Sequence, residues 1–410
     1  MSKKLLKDCA YYVTDRISSS NLTAENYIGV DNMLPNKAGV TLSESVPTSG
    51  DVTAFNVGDI LIGNIRPYFK KIWLATFDGG CSPDVLCIRC NRDVPPEYLY
   101  GVLSQDSFFD YDMAGSKGSK MPRGDKNHIM NYPIPILNDM SKIGDFIINI
   151  NAKISNNNRI NAELESMAKT IYDYWFTQFD FPDENGKPYK SSGGKMVWNE
   201  ELKREIPEGW GVGKVKDCIV HINTGLNPRD NFKLGNGNIK YITVKNLTTS
   251  GAIDFSDCDV IDEEARKIVH NRSDVSKGDI LFASIAPLGR CCIVYENPCD
   301  WDINESVFSI RPKNNIPSEY LYLYFMSDTF VKKAEHSSTG SVFSGIRIST
   351  LEEMNIVIPP DNVLESFEKN IATMLFKKHK NSIENQQLAS LRDWLLPMLM
   401  NGQVGFEGVE

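Results

Sequence analysis

One stretch of the sequence places residues in an order that metal-dependent catalysis uses. Pro182-Asp183, followed by Glu201-Leu202-Lys203, satisfies the PD…ExK order in which two carboxylates and a lysine surround the metal ion of a nuclease. The residues between them are rich in Gly, Ser and Pro, so we expect a linker without strands that could align the three side chains. A nuclease that uses Asp183, Glu201 and Lys203 therefore remains an alternative and not the main interpretation.

Other patterns that could support chemistry are incomplete. Cys87 and Cys90 have the CxxC spacing of metal ligands, but no second CxxC and no suitably placed His pair completes a four-ligand site. Because apolar residues alternate around them, we expect a buried strand with small thiols. The (N/D)PP(Y/F) loop of amino-methyltransferases is also missing, since Asn297-Pro298 continues as Cys-Asp. The sequence therefore predicts no catalytic residue, no metal and no cofactor in this chain.

Residues suited to nucleic acid occur in a Gly- and Ser-rich loop. The stretch 114–128, AGSKGSKMPRGDKNH, carries four cations against a single acid, Asp125. Such loops let the backbone approach phosphates while Arg reads guanine edges. An ordinary solvated loop explains this composition equally well. The candidate DNA contacts here are Lys117, Lys120, Arg123 and Lys126.

Polar residues elsewhere are further candidates for DNA contacts. The stretch 336–347, HSSTGSVFSGIR, stands at the corresponding place in the second half of the chain and has far less charge, so we expect polar rather than ionic contacts there. The other candidates lie beside predicted turns, where turn chemistry or an exposed charge is at least as good an explanation. These candidates are Thr339, Ser341 and Arg347; Ser19, Ser20 and Asn21; Arg66, Tyr68 and Lys70; and Thr224, Asn227, Arg229 and Arg290.

Composition limits the class of protein. With 410 residues, 41% hydrophobic and 24% charged, the chain is an ordinary globular sequence of two or three folding units. We expect no signal peptide, no membrane helix and a cytoplasmic location, where nine scattered cysteines stay reduced. The net charge of −9 means that DNA contacts would come from local patches or from partners.

The elements that must position these residues are duplicated. Gly58-Asp59-Ile60-Leu61 recurs as Gly278-Asp279-Ile280-Leu281, and Ile-x-Pro follows in both copies. The match continues in order, with Tyr27 against Tyr241, Tyr98 against Tyr320, Pro135 against Pro359 and Leu164 against Leu388. The chain is therefore predicted to be two copies of one unit and not a solenoid.

Each copy changes from a β-rich part to a long helix. A heptad pattern predicts helices of roughly 35–40 residues that need a helical partner, which the other copy supplies. Antiparallel pairing would hold the β-rich parts apart as a dumbbell with an approximate twofold axis. Polar residues interrupt both seams, at Lys153 and Asn157 and at Lys378 and Asn381. The predicted seam residues are Ile143, Phe146, Ile150, Ile160, Leu164, Met167 and Ile171, and Leu364, Phe367, Ile371, Met374, Leu388, Leu391 and Leu395.

A linker of distinctive composition joins the two copies. Residues 181–210 read FPDENGKPYKSSGGKMVWNEELKREIPEGW, and each copy carries GDIL, EYLY and an Ile-Pro segment before its long helix. In this linker and in the duplicated order, the chain resembles the specificity (S) subunits of type I restriction–modification systems over essentially its whole length. The resemblance implies a non-catalytic DNA reader whose recognition domains are like those of TaqI-type adenine methyltransferases, a curled β-structure with helices.

The resemblance also implies partners. Each recognition domain would read one half of a bipartite site in double-stranded DNA, and the helices would bind two DNA adenine methyltransferase subunits and set the spacer. S-adenosylmethionine would be bound by those subunits and not by this chain, and translocase–nuclease subunits could join. A protein- or glycan-binding scaffold without DNA specificity is the remaining alternative, which the acidic net charge favours slightly.

Together these patterns predict an α+β protein with two similar β-rich target-recognition domains separated by two long antiparallel coiled-coil helices. The expected divisions are residues 1–137 for the first recognition domain, 138–179 for the first conserved helix, 180–210 for the linker, 211–359 for the second recognition domain, 360–400 for the second conserved helix and 401–410 for a tail.

Overall fold

The computed structural model describes residues 2–118, 120–337 and 345–406. Two compact units divide the chain: the first contains Met1–Ser155 and Gln387–Glu410, and the second contains Asn156–Gln386. We call the β-rich part of the first unit the first head and that of the second unit the second head. Two long helices each contribute residues to both units.

The first head contains ten strands and four short helices ahead of the first long helix. The strands are β1 (Ser2–Leu5), β2 (Ala10–Tyr12), β3 (Arg16–Ser18), β4 (Tyr27–Ile28), β5 (Asp51–Phe55), β6 (Ile60–Gly63), β7 (Ile72–Leu74), β8 (Gly79–Cys81), β9 (Val85–Cys90) and β10 (Pro133–Ile136). The helices are α1 (Leu6–Cys9), α2 (Pro96–Leu103), α3 (Asp106–Gly115), α4 (Lys126–Ile129) and the long α5 (Met140–Tyr172).

The rest of the chain repeats this order after a linker hairpin. The strands are β11 (Met196–Asn199), β12 (Arg204–Pro207), β13 (Gly211–Lys214), β14 (Ile219–Thr224), β15 (Ile239–Ile242), β16 (Asp259–Ile261), β17 (Ile280–Ala283), β18 (Cys291–Ile293), β19 (Trp301–Ile303), β20 (Val307–Pro312) and β21 (Asn355–Ile358). The helices are α6 (Val215–Cys218), α7 (Glu263–Ser273), α8 (Ser318–Met326), α9 (Asp328–Ser337), α10 (Ile348–Glu352) and the long α11 (Asp361–Met400).

The two heads share the strand order of one sheet. One sheet of the first head has the order β2-β9-β6-β7, and its counterpart in the second head has the order β14-β20-β17-β18. Tyr98 on α2 donates a hydrogen bond to the Pro135 carbonyl at 2.8 Å, and Tyr320 on α8 donates to the Val357 carbonyl at 2.5 Å. The predicted duplication is confirmed, but these equivalent hydrogen bonds show that Pro135 corresponds to Val357 and not to Pro359.

The aspartate of the repeated Gly-Asp-Ile-Leu segment explains why the segment recurs. Asp59 is 2% exposed and accepts hydrogen bonds from Nε and Nη2 of Arg89 on β9, both at 2.8 Å. In the second head, buried Asp279 accepts from Nε of Arg311 on β20 at 2.8 Å. A carboxylate is buried at tolerable cost only when it is paired and hydrogen-bonded. The aspartate of the segment therefore forms a structural ion pair in each head.

Replacing either aspartate should destabilise only its own unit. Asp59→Asn should lower the free energy of unfolding of the first unit by about 2 kcal/mol, because it removes the charge that pairs with Arg89. Asp279→Asn should do the same for the second unit. Hydrogen exchange at increasing urea concentration separates the two units, and Asp51→Asn, at an exposed site, is the control. Equal losses in both units from either substitution would contradict this assignment.

The long helices run antiparallel within the second unit. Asn157 Nδ2 donates to Asn385 Oδ1 at 2.9 Å, and Asn381 Nδ2 donates to Asn161 Oδ1 at 2.9 Å. Under the repeat, Asn157 corresponds to Asn381 and Asn161 to Asn385, so the two contacts are equivalent and the local pairing is pseudo-twofold. The predicted antiparallel pairing of two long helices is therefore confirmed. None of the described helices is apolar over enough of its length to cross a lipid bilayer.

The buried face of these helices departs from the heptad prediction at three positions. Met167 and Leu391, which correspond under the repeat, are 50% and 44% exposed, and Lys153 is exposed as well. An α-helix with 3.6 residues per turn drifts away from a strict 3.5-residue repeat, so a heptad frame leaves the buried face after a few turns. Ala168, one position after Met167, is buried instead. The remaining predicted seam residues are buried or partly buried.

The linker contains two strands where none were expected. β11 and β12 form an antiparallel hairpin, with Met196 opposite Pro207. Arg204 on this hairpin donates to the Thr177 carbonyl at 2.7 Å and lies 4.3 Å from the centroid of the Phe179 ring. Trp210 packs against the same ring at a centroid distance of 5.5 Å. These contacts hold the linker against the end of α5, where composition alone predicted a loose connection.

Candidate nucleic-acid interface

In the first head, two of the predicted groups lie together. Isolated β-bridges join Ile65 to Arg123 and Arg123 to Lys117, and the Arg66 N–H donates to the Pro122 carbonyl at 2.8 Å. The turn after β6 thus lies against the Gly- and Ser-rich loop. We call Arg66, Lys117 and Arg123 the basic cluster of the first head.

The cluster's ion pairs leave its cations available to a ligand. Lys117 pairs with Asp125 at 2.7 Å, and Arg123 pairs with Asp84 at 2.8 Å, with 83% and 57% of the two cationic side chains exposed. The Lys117 ammonium and the N–H groups of His128 and Asn127 lower the pKa of Asp125 to about 2. Exposed pairs of this kind contribute about 0–1 kcal/mol, so phosphate oxygens can compete for both cations.

The other candidates of the first head divide between exposed and engaged side chains. Tyr68 is 48% exposed, and Lys120 and Lys126 are exposed near the basic cluster. Lys70 instead pairs with Asp106 at 3.0 Å. The predicted group Ser19, Ser20 and Asn21 forms a 3-10 turn in which Ser19 is buried and its N–H donates to the Gly50 carbonyl.

The second head has the same loop contact with different residues. Ile285 bridges Gly345 as Ile65 bridges Arg123, so glycine stands where the first head has a cation. Exposed Arg347 follows at the start of α10. Arg290 donates to the Pro287 carbonyl at 3.3 Å, and burial lowers its pKa.

Three more predicted contacts of the second head lie near β14. Thr224 is the last residue of this strand and is half-buried, Asn227 is half-buried in the connection that follows, and Arg229 is exposed. Thr339 and Ser341, also predicted as DNA contacts, lie outside the described residues.

The possible catalytic and metal-binding residues have structural roles. Asp183 Oδ1 accepts the N–H groups of Asn185 and Lys187, both at 2.8 Å, within a turn, and Glu201 is exposed in the linker hairpin. Cys87 and Cys90 lie in β9, which confirms the predicted strand, and burial raises the pKa of Cys90 to about 12. Within the described ranges, His, Cys, Asp and Glu nowhere form a group of three that could hold a metal ion.

Sequence reasoning missed three residues beside the basic cluster: Asn64, Asp112 and Gly124. Asp112 on α3 is fully buried, and Asn64 is 4% exposed. Burial raises the pKa of Asp112 to about 6, although the nearby His128 acts in the opposite direction. A charged residue one turn after the buried Phe108 was the available signal, because it falls on the apolar face of the helix.

Two heads of one fold, with different polar loops and carried by paired long helices, define a recognition protein with two reading modules. A family model for the type I restriction modification DNA specificity domain matches residues 207–392. The chain is 26% identical to the MjaIX type I restriction enzyme specificity subunit of Methanocaldococcus jannaschii, over 77% of this chain and 70% of that one. It is 23% identical to the HindI specificity subunit of Haemophilus influenzae, over 86% and 87% of the two chains.

A solved structure has a similar fold. The crystal structure of a type I restriction–modification system S subunit from M. genitalium superposes with a TM-score of 0.61 at 14% identity and covers 97% of this chain and 95% of that one. Residues 207–392 thus match a type I restriction modification DNA specificity domain, and the chain is similar over most of its length to specificity subunits of type I restriction enzymes. The relatives that it matches are named as specificity subunits, and this favours the DNA-recognition interpretation over the nuclease and scaffold alternatives.

Proposed function

We propose that each head reads one half of a bipartite sequence in double-stranded DNA, while the paired helices bind two adenine methyltransferase subunits and fix the length of the spacer. The observation that carries this proposal is one fold used twice with different residues at the same loop contact. The first head places Arg123 opposite Ile65, and the second places Gly345 opposite Ile285. Phosphate contacts orient a protein on DNA and base contacts specify sequence, so unlike loops on like folds suit unlike half-sites.

The two-methyltransferase stoichiometry is supported by the helices. Met167 on α5 and Leu391 on α11 occupy corresponding positions and are both exposed. Exposed apolar side chains at positions that correspond under the sequence repeat offer similar contacts twice, which suits two copies of one partner. Translocase–nuclease subunits would join such a complex.

The cofactor and the compartment follow from the same proposal. S-adenosylmethionine would be held by the methyltransferase subunits and not by this chain. The nine cysteines of the sequence are all free thiols, and most of them are buried. Unpaired thiols suit the reducing cytoplasm, where the complex would meet genomic DNA.

The proposal is tested by long-read detection of adenine methylation in the native genome, with and without this gene. We expect one bipartite motif, two short halves around an unspecified spacer, to disappear when the gene is deleted. Complementation with the gene should restore the same motif. Retention of every methylated motif in the deletion strain, with the neighbouring methyltransferase expressed, would refute the proposal.

Removing two exposed cations of the first head should weaken binding regardless of sequence. Lys120→Ala/Arg123→Ala should lower DNA affinity of the assembled methyltransferase at least tenfold at physiological salt. It should also reduce the slope of log affinity against log salt by about 2, because each lost phosphate contact releases about 0.9 fewer counterions. Fluorescence anisotropy over a salt series on cognate and scrambled duplexes measures both quantities.

The matched control removes the same charge elsewhere. Lys187→Ala/Lys190→Ala deletes two exposed cations of the linker and should leave both the affinity and the salt slope unchanged. If the two double variants weaken binding equally, the effect is one of net charge, and the first-head loop is not the phosphate contact.

A further inference from the structure

Unpartnered polar atoms are concentrated in the first head. Six buried side-chain atoms lack a hydrogen-bond partner in the part of the chain that the structure describes, and four of them belong to Asn64, Arg66 and Asp112. These are Oδ1 of Asn64, Nε of Arg66 and both carboxylate oxygens of Asp112. Because a buried polar group without a partner costs about 1–3 kcal/mol, and more when it is charged, such a group needs an explanation.

Two of these side chains converge on one place. A Cβ added to Gly124 would collide with Oδ1 of Asp112 and with Oδ1 of Asn64, so both oxygens face the backbone of this glycine. Asp112 and Asn64 are 0% and 4% exposed. The two oxygens therefore lie beneath the strip Pro122–Gly124, which also carries Arg123 of the basic cluster.

The fold itself does not require these polar residues. The Gly124 N–H donates to the Asn64 carbonyl at 3.2 Å, and in the second head the Ile346 N–H donates to the Ser284 carbonyl at 2.8 Å, which makes these residues equivalent. Ser284 is satisfied, since its Oγ donates to the Ser306 carbonyl at 2.7 Å.

Asp112 has an apolar counterpart as well. α3 and α9 begin at the corresponding Asp106 and Asp328, and Ala334, fully buried, stands where α3 has Asp112. The second head thus packs Ala and Ile where the first head buries an unpaired carboxyl against glycine. The polar site is a specialisation of the first head and not part of the common scaffold.

We propose that Asp112 and Asn64 accept hydrogen bonds from the exocyclic amino group of one target base, adenine or cytosine, in the half-site read by the first head. This inference rests on the proposed function. In the major groove adenine N6 and cytosine N4 are donors, whereas guanine O6 and thymine O4 are acceptors. The ionised Asp112 carboxylate, which can only accept, pairs with the first two bases and repels the other two.

DNA itself provides access to this site. The strip Pro122–Gly124 over Asp112 is held by backbone hydrogen bonds, from the Arg66 N–H to the Pro122 carbonyl at 2.8 Å and between Arg123 and Lys117 at 3.0 Å, and by the exposed Arg123–Asp84 ion pair at 2.8 Å. A phosphate that draws Arg123 away from Asp84 removes the ion pair at a small cost, since exposed pairs are weak. The backbone hydrogen bonds of the strip must open as well before a base can reach Asp112.

The test compares methylation motifs of strains that carry wild type, Asp112→Asn or the exposed Asp110→Asn. We expect wild type to demand adenine or cytosine at one position of one half-site. Asp112→Asn, which adds an amide donor in the same shape, should reduce methylation of cognate sites at least tenfold and admit guanine or thymine at that position. The other half-site and the spacer should not change, and Asp110→Asn should reproduce the wild-type motif. An unaltered motif in Asp112→Asn would overturn the inference.

A second measurement uses only the wild-type complex and does not depend on the folding of a variant. Duplexes carry purine in place of the adenine, or 2-pyrimidinone in place of the cytosine, at the position identified above, so that only the amino group is lost. We expect affinity to fall at least tenfold at this position, and an unchanged affinity would overturn the inference. A genome in which deletion of the gene removes no bipartite motif would instead refute the proposed function itself.

Discussion

Lys378→Met should lower the free energy of unfolding of the second unit by about 3 kcal/mol, since removing one partner of a buried ion pair leaves the other charge uncompensated. Lys378 is 4% exposed, and its ammonium donates to Glu165 Oε2 at 2.7 Å across the pair of long helices. The pair occurs once, because the repeat places Ile154 and Ala389 at the corresponding positions. The measurement is urea unfolding followed by hydrogen exchange in α5 and α11.

The pH dependence tests the same ion pair independently. Burial raises the pKa of Glu165, but Lys378 and Lys169 outweigh burial and hold this pKa below its ordinary value. A lowered carboxyl pKa gives stability that is present above the unfolded pKa and is lost as the pH falls through the folded pKa. The difference between wild type and Lys378→Met should therefore shrink in acid.

Two further variants show whether loss of charge or loss of packing causes the lower stability. Lys377→Met, at the exposed neighbouring position, should change stability by less than about 0.5 kcal/mol. Lys378→Met/Glu165→Leu should recover most of the loss, because a buried ion pair and an apolar pair of similar volume are often nearly equal in stability. If the double variant is as unstable as the single one, packing of the lysine stem and not charge explains the effect.

The duplicated fold could be predicted from sequence because repeated residues have repeated structural roles. Gly-Asp-Ile-Leu recurs since Asp59 and Asp279 each complete a buried ion pair with an arginine on the neighbouring strand. Tyr98 and Tyr320 recur since each donates to the strand before a long helix. The antiparallel pairing followed from connectivity together with heptads.

The exact buried face of the long helices and the strand pairing within the linker could not be predicted from the sequence. The exposure of Met167 and Leu391 arises because a real helix leaves the heptad frame. The β11–β12 hairpin lies in a segment whose Gly and Ser content predicts a linker without strands, although it contains two strands of four residues each.

The candidate interface was predicted in part. Exposed cations such as Lys120 and Arg123 stand out in a sequence, because charge in a Gly- and Ser-rich loop is visible without coordinates. Asp112 does not stand out in the same way, because its role depends on the absence of hydrogen-bond partners for its buried carboxylate. The signals in the sequence were its position one turn after Phe108, on the apolar face of α3, and its alignment with Ala334 of the second copy.

Asp112→Asn should raise the stability of the first unit at pH 8 by about 3 kcal/mol. The difference between a pKa of about 6 in the folded chain and the ordinary value of 3.8 corresponds to about this free energy. The sign follows from the raised pKa: the ionised carboxylate destabilises the fold fully above pH 6, progressively less between the two pKa values, and not at all below the unfolded value. The gain from Asp112→Asn should therefore decline from pH 8 to pH 4. Thermal and urea unfolding across this range measure it.

A stabilising substitution at a buried position is itself informative. A buried charge that costs stability is often retained because it serves function, which is the trade-off between stability and activity. Asp110→Asn, at an exposed position of the same helix, should have no comparable effect, and Asp112→Ala introduces the residue that the second head carries. If Asp112→Asn brings no gain at pH 8, the carboxylate already has a partner in the free protein and its acceptors are not available to a base. If Asp112→Asn stabilises the unit and also relaxes one position of the methylation motif, the same unpartnered carboxylate both lowers the stability of the free protein and reads a base of the DNA.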